Sequence, residues 1–208
     1  NSGGGITNDG NSPTFINVVI SGNIAGVYGG GMFNYQSDPM LTNVTLTGNV
    51  SSNTGGVYNN SSAPIIRNSI VWGNSSAQIS DNAAIVSNSI VQGGYTGATD
   101  ADPLFVLPVD TANAPTTAGN YRLRPGSPAI DAGNSADVPA GVITDRDGQE
   151  REVGGSVDMG AHERQPAGVR YVNDDATGSG SGYSWADAIP SLQQALAFVD
   201  AGDELWLG

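Results

Sequence analysis

Cysteine and lysine are both missing from this 208-residue sequence. Without cysteine there are no disulfides, no thiolate-held zinc and no thiol catalysis. Without lysine there can be no intramolecular Lys–Asn isopeptide bond, another device that hardens surface proteins. All seven basic side chains are arginines, against twenty acids, and the formal net charge is −13. That balance argues against nucleic acid as a partner, because phosphates call for a basic stripe. No apolar run approaches the roughly 20 residues of a membrane span, and no basic-then-apolar leader opens the sequence. Charged residues amount to only 13%, too few for a disordered acidic tail. In their place stand 30 glycines and nineteen asparagines, a composition that suits the outside of a cell.

The glycines and asparagines recur in order. Gly3-Gly4-Gly5-Ile6-Thr7-Asn8 is echoed by Gly29-Gly30-Gly31-Met32-Phe33-Asn34 and by Gly55-Gly56-Val57-Tyr58-Asn59. A proline follows each run (Pro13, Pro39, Pro64), and then an asparagine (Asn17, Asn43, Asn68, with Asn88 in a shorter fourth copy). A Gly-Asn pair closes three copies, at Gly22-Asn23, Gly48-Asn49 and Gly73-Asn74. The copies are offset by 26, 25 and 20 residues, a period that marks a repeat architecture.

Between these breakers lie short β-branched runs that read as strands, with no room for an amphipathic helix. The sequence therefore predicts an all-β fold, a right-handed parallel β-helix (solenoid) with one short capping helix. Each copy forms one coil, at about 4.8 Å per coil. Asn17, Asn43, Asn68 and Asn88 are expected to form a ladder of side-chain amides. Four coils make a stack on the order of 20 Å, whose ends are rows of unpaired backbone groups. The sequence is expected to begin inside a repeat.

Composition changes near Asp100. Residues 1–99 carry a net charge of −2 and residues 100–208 one of −11. Asp102-Pro103-Leu104-Phe105 leads to Asn120-Tyr121-Arg122-Leu123-Arg124-Pro125-Gly126-Ser127-Pro128-Ala129-Ile130-Asp131-Ala132-Gly133. Asp145-Arg146-Asp147-Gly148, Arg151 and Val157-Asp158-Met159-Gly160-Ala161-His162-Glu163 follow. Over about residues 1–165 this order resembles the C-terminal end of bacterial β-helix surface proteins of the choice-of-anchor Q type. The resemblance implies an exported or surface protein in which the β-helix precedes an attachment signal.

Residues 166–208 resemble the start of such a domain, its N-terminal cap of strand, helix and strand. Val169–Asn173 reads as a strand, Pro190 as the first position of a helix, and Leu192, Ala195, Leu196 and Val199 as its apolar face. Glu204–Leu207 begins the next strand. The expected organisation is thus coils over 1–99, a C-terminal region over 100–165 and the cap of a following or neighbouring unit over 166–208. The expected assembly joins the Leu205, Trp206, Leu207 edge of one unit to the Gly5, Ile6, Asn8 edge of the next, a head-to-tail contact that propagates.

Catalysis finds little support. Asp9, Asp38 and Asp81 are the only acids in the coils and sit at non-equivalent offsets, unlike the paired carboxylates of a glycoside hydrolase. A lyase needs a base and a cation for the uronate, and the coils offer Arg67 with Tyr28, Tyr35, Tyr58 and Tyr95. His162, the only histidine, reads as a structural hydrogen-bonder. Asp145, Asp147 and Glu150 read in two ways, as part of a calcium loop or as an Asp-Gly turn in which Asp147 or Asp158 pairs with Arg146 or Arg151. No cofactor is required. Tyr28, Phe33, Tyr35, Tyr58 and Trp72 read as packing ahead of a sugar-stacking stripe. The sequence supports a structural or adhesive unit at the cell surface, with a carbohydrate-active or carbohydrate-binding β-helix as the alternative.

Overall fold

The computed structural model describes residues 2–81 and 83–208. The protein is all-β, built from short strands in several parallel sheets, with a single α-helix among the described residues. Copy one gives β1 (Ile6–Asp9), β2 (Thr14–Ile16) and β3 (Val19–Ser21); copy two gives β4 (Met32–Tyr35), β5 (Met40–Thr42) and β6 (Thr45–Thr47). Copy three gives β7 (Val57–Asn60), β8 (Ile65–Arg67) and β9 (Ile70–Trp72), and copy four gives β10 (Ile85–Ser87) and β11 (Ser89–Val91). The two-residue β12 (Ala98–Thr99) follows.

Equivalent strands pair in parallel and in register. Ile6 lies beside Met32 and Met32 beside Val57; Phe15, Leu41, Ile66 and Val86 form a second row; Ile20, Leu46, Val71 and Val91 a third. The sheets run β1-β4-β7, β2-β5-β8-β10 and β3-β6-β9-β11-β12. Because the side-chain period is 2, β2, β3, β5, β6, β8, β9 and β10 send their middle residues inward and β11 its last, Val91, and these rows make the core.

The asparagine ladder is present, but on other residues than the sequence suggested. Asn8 Nδ2 donates to Asn34 Oδ1 (2.8 Å) and Asn34 Nδ2 to Asn59 Oδ1 (2.9 Å). A second ladder runs Asn23–Asn49–Asn74–Gln78, with amide contacts of 2.9, 2.9 and 2.7 Å. Asn17, Asn43, Asn68 and Asn88 instead occupy corners in the left-handed region, at φ 54°, 54°, 48° and 44°, which asparagine tolerates better than most residues. Three of their amides reach away from the core. Asn17 Nδ2 donates to Thr144 O (2.8 Å), Asn43 Nδ2 to Asp158 O (3.1 Å) and Asn68 Nδ2 to Asn134 O (3.0 Å), while Asn88 is exposed. The row that was expected to bind copy to copy binds the copies to the second half of the chain.

That second half covers the outer face of the third sheet. Val19, Ile70, Trp72 and Ile90 point outward from it and pack against Phe105, Tyr121, Leu123, Ala129 and Met159. A sheet buried on both faces reads as a nearly continuous apolar run, as Ile70-Val71-Trp72 does. Phe105, Tyr121 and Leu123 belong to an antiparallel hairpin, β13 (Phe105–Leu107) with β14 (Asn120–Leu123). Its far side carries Val106, which packs on Val172, Ile189, Ala195 and Phe198 of the last segment. There β15 (Val169–Val172) pairs in parallel with β16 (Glu204–Leu207), and α1 (Leu192–Phe198) lies between them in the chain.

The expected helix is present, with two differences. Ser191 caps it, accepting from Gln194 N, so Pro190 lies one residue outside. Its buried residues are Ala195 and Phe198, whereas Leu192 and Leu196 are 43% and 58% exposed. The segment is tied to its own chain: Arg164 donates to Asp200, Phe198 O and Leu123 O.

Candidate functional site

The clearest cluster of chemistry-bearing groups grows from the Asp145–Gln149 turn. Thr144 and Glu150 face each other across an antiparallel bridge, and Gly148 takes the positive φ (77°) that closes the turn. Asp145 Oδ1 accepts from the N–H groups of Asp147 (2.8 Å) and Gln149 (3.0 Å), and its Oδ2 accepts from Glu163 N (2.8 Å). Asp147 projects the other way, into a two-pronged pair with Arg122, whose Nε and Nη2 each donate at 2.7 Å. His162 Nδ1 lies 3.2 Å from Asp147 Oδ2.

Ligand atoms of Asp145, Asp147 and His162 lie within 4.8 Å of one another. Glu150, predicted to join Asp145 and Asp147, does not belong to this group. The turn reverses the chain before Glu150, leaving that side chain exposed. His162 takes its place, as the hydrogen-bonding residue it was read to be. Arg122 is the partner that sequence reading missed. The signal was available in Asn120-Tyr121-Arg122-Leu123, where strand alternation puts Tyr121 and Leu123 on the core side and Arg122 on the other.

Burial opposes the charge of Asp147, but the His162 hydrogen bond and the Arg122 guanidinium outweigh it and hold this carboxyl well below the usual carboxylate range. Burial pushes His162 down, against the pull of Asp147. An ionised Asp147 can only accept, so Nδ1 of His162 carries the hydrogen of this bond. Every carboxylate oxygen of Asp145 and Asp147 is thus already engaged by a protein donor.

Next to this cluster lies a buried acid-rich knot. Arg151 is 1% exposed, and its Nη2 donates to Asp158 O (2.6 Å) and Gly160 O (3.0 Å) while standing 3.7 Å from Glu163. Glu163 accepts from Val153 N and Asp158 N, and Asp158 from Asp131 N and Arg164 N. Burial pushes Asp158 up to about 6, and burial with the neighbouring Asp158 pushes Glu163 up to about 8. Acids raised in the folded state hold protons that the unfolded chain has released, so their contribution to stability falls as pH rises through these values. His162, lowered in the folded state, costs stability only below its unfolded value near 6.5. Between pH 6.5 and 9 the melting temperature should therefore fall as pH rises, and Glu163→Gln should flatten that slope. A thermal melt series across this window checks it, and a flat wild-type profile would contradict it.

A cavity of about 490 Å³ opens where this cluster meets the first copy. Gly5, Ile6 and the Val18–Ser21 stretch line one side, and Asn120, Tyr121, Arg122, Arg146, Asp147, His162 and Ser179 line the other. β1, β2 and β3 each stand at the edge of their sheets, so the residues expected at an assembly joint are here: Gly5 and Ile6 at the cavity, and Asn8 buried at the start of its ladder. Leu205, Trp206 and Leu207 lie in the separate β15–β16 sheet, where Leu205 packs inward and Trp206 and Leu207 are 49% and 65% exposed.

Two of the acids in the repeats act as turn residues: Asp38 accepts from Ala63 N, and Asp81 from Ala83 N and Asn59 Nδ2, while Asp9 ends β1. Phe33 and Tyr58 stack at 5.6 Å, and Tyr58 meets Tyr28 at 4.3 Å. A second aromatic group, Tyr171 with Trp185 (4.7 Å) and Trp206 (5.9 Å), was not singled out in the sequence. Among the described residues no helix is long and apolar enough to cross a membrane. No protein-family model, curated protein or solved structure matches the chain.

Proposed function

We propose that the chain is a right-handed parallel β-helix acting as a structural or adhesive unit of an extracellular bacterial surface protein, of the choice-of-anchor Q kind, or of a head-to-tail filament. The observation that carries this reading is a pair of sheet edges: among the described residues, β1, β2 and β3 of the first copy and β16 of the last segment have no outer neighbour. A free edge is a template for another strand, and a heterologous contact between two different edges continues without closing. In-register copies and two buried amide ladders suit a stiff rod, and the −13 net charge keeps rods apart laterally.

The reading needs no metal. Calcium in the Asp145–Asp147 turn would have to displace Arg122 from Asp147, since hard cations require several free oxygens. Carbohydrate binding is the second reading, favoured by the half-exposed Trp185 and Trp206 beside Tyr171, since aromatic faces pack well on apolar ring surfaces. Sedimentation across a concentration series, with electron microscopy, separates the two. Rods that lengthen with concentration support the structural unit. A particle that stays at 21.1 kDa and saturably binds an acidic oligosaccharide supports the alternative.

A further inference from the structure

The cavity borders the edge of β3. Thr45 N donates to Val18 O and Gly22 N to Thr47 O, so Val18, Ile20 and Gly22 direct their backbone groups at β6. In a parallel ladder the intervening residues face the opposite way. The N–H and C=O of Val19 and the N–H of Ser21 therefore point along the free edge, toward the cavity that these residues line. The wall opposite is built beyond the end of the sheet. At the Val19 end it offers Arg146 and His162: Val19 pairs with Thr45, Thr45 Oγ1 accepts from Ala161 N, and Ala161 O accepts from Arg146 N. At the Ser21 end it offers Tyr121, Gly119 and Asn120, held there by the bond from Thr116 N to Gly22 O. Arg122 is neutralised by Asp147, whereas Arg146 is exposed and has no ion-pair partner among the described residues.

β16 has the complementary edge. Glu204 N donates to Gly168 O and Gly208 N to Val172 O, so Glu204, Trp206 and Gly208 turn toward β15 and Leu205 and Leu207 present free backbone groups. In the repeats, the residue that faces the core also faces the next strand, as Ile20 does toward β6. Leu205 packs inward and presents its backbone forward, so β16 is in phase to precede β3. Leu207 stays 65% exposed, as an inward residue does at an edge that lacks its neighbour.

We propose that β16 of a second copy of this chain enters this cavity and pairs in parallel with β3, Leu205 beside Ile20, Glu204 beside Val19 and Trp206 beside Ser21. Glu204 then faces Arg146, Trp206 faces the Tyr121 end, and Leu205 N–H donates to Val19 C=O. This deepens the head-to-tail reading and rests on it, but assigns the joint to one strand pair, where β1 and β2 offer edges too.

A charge swap tests it. Arg146→Glu and Glu204→Arg both alter exposed side chains, so each variant should melt like the wild type. Sedimentation velocity of the whole chain should show self-association of the wild type, weakened roughly tenfold in each single variant and restored in the double variant. Association that ignores the single variants, or a double variant no better than the singles, overturns this joint and leaves the head-to-tail reading standing. A wild type that is monomeric at every concentration overturns both.

Discussion

Arg151→Met should lower the unfolding free energy by about 3–5 kcal/mol, the cost of leaving buried charge without its partner. Among the described residues Arg151 is the one guanidinium inside the knot formed by Asp145, Asp158 and Glu163, and it interacts with all three carboxylates. The desolvation that makes Arg151 easier to deprotonate acts on the acids in the same sense, toward neutrality. With the guanidinium gone, the carbonyls of Asp158 and Gly160 also lose their donor. Protonation offers an escape, so the deficit should shrink as pH falls from 8 to 5. Urea unfolding at both pH values measures it. A loss under about 1 kcal/mol at pH 8 would place this knot among the weak ion pairs of a protein surface.

Asn49→Ala should cost about 2–4 kcal/mol, because several buried polar groups lose a partner together. Asn49 is fully buried. Its Nδ2 donates to Asn74 Oδ1 and Ile20 O, both at 2.9 Å, and its Oδ1 accepts from the backbone and side chain of Asn23. Asn11→Ala, at an exposed position where the amide reaches only Asp9 O, should stay within about 0.5 kcal/mol. Denaturant melts of the two variants side by side make the comparison. Equal effects would mean that the ladder is ornamental to stability.

The repeat was legible because its punctuation is chemical. Glycine, proline and asparagine at fixed offsets mark corners, and the short β-branched runs between them became the strands of three in-register parallel sheets. The choice of ladder failed for a geometric reason. All three asparagine rows recur with the same period, so period alone does not tell which faces inward. At Asn17, Asn43 and Asn68 a left-handed corner turns the side chain out, where the second half of the chain meets it; at Asn34 and Asn49 the side chain turns in. The apolar helix face failed similarly: Leu192 and Leu196 share a stripe with Ala195, but only the side toward Val106 is covered.

The candidate site was half legible. Asp145 and Asp147 stood out as a turn with acidic groups, and an arginine partner was anticipated, but the sequence-near Arg146 and Arg151 were favoured. The observed partner, Arg122, is 25 residues away and is brought in by a hairpin whose apolar side sits on Ile70 and Ile90. Long-range pairing of this kind follows from which sheet face the hairpin covers, and local spacing does not encode that.

The measurement that bears most directly on the unpaired edges is amide hydrogen exchange, residue by residue, at two protein concentrations. In dilute solution Val19, Ser21, Leu205 and Leu207 should exchange fast while Ile20, Leu46 and Val71 stay protected, and at high concentration the edge amides should slow as copies join. Edge amides already protected in a dilute monomer would show both edges closed within one chain, and the account would be wrong.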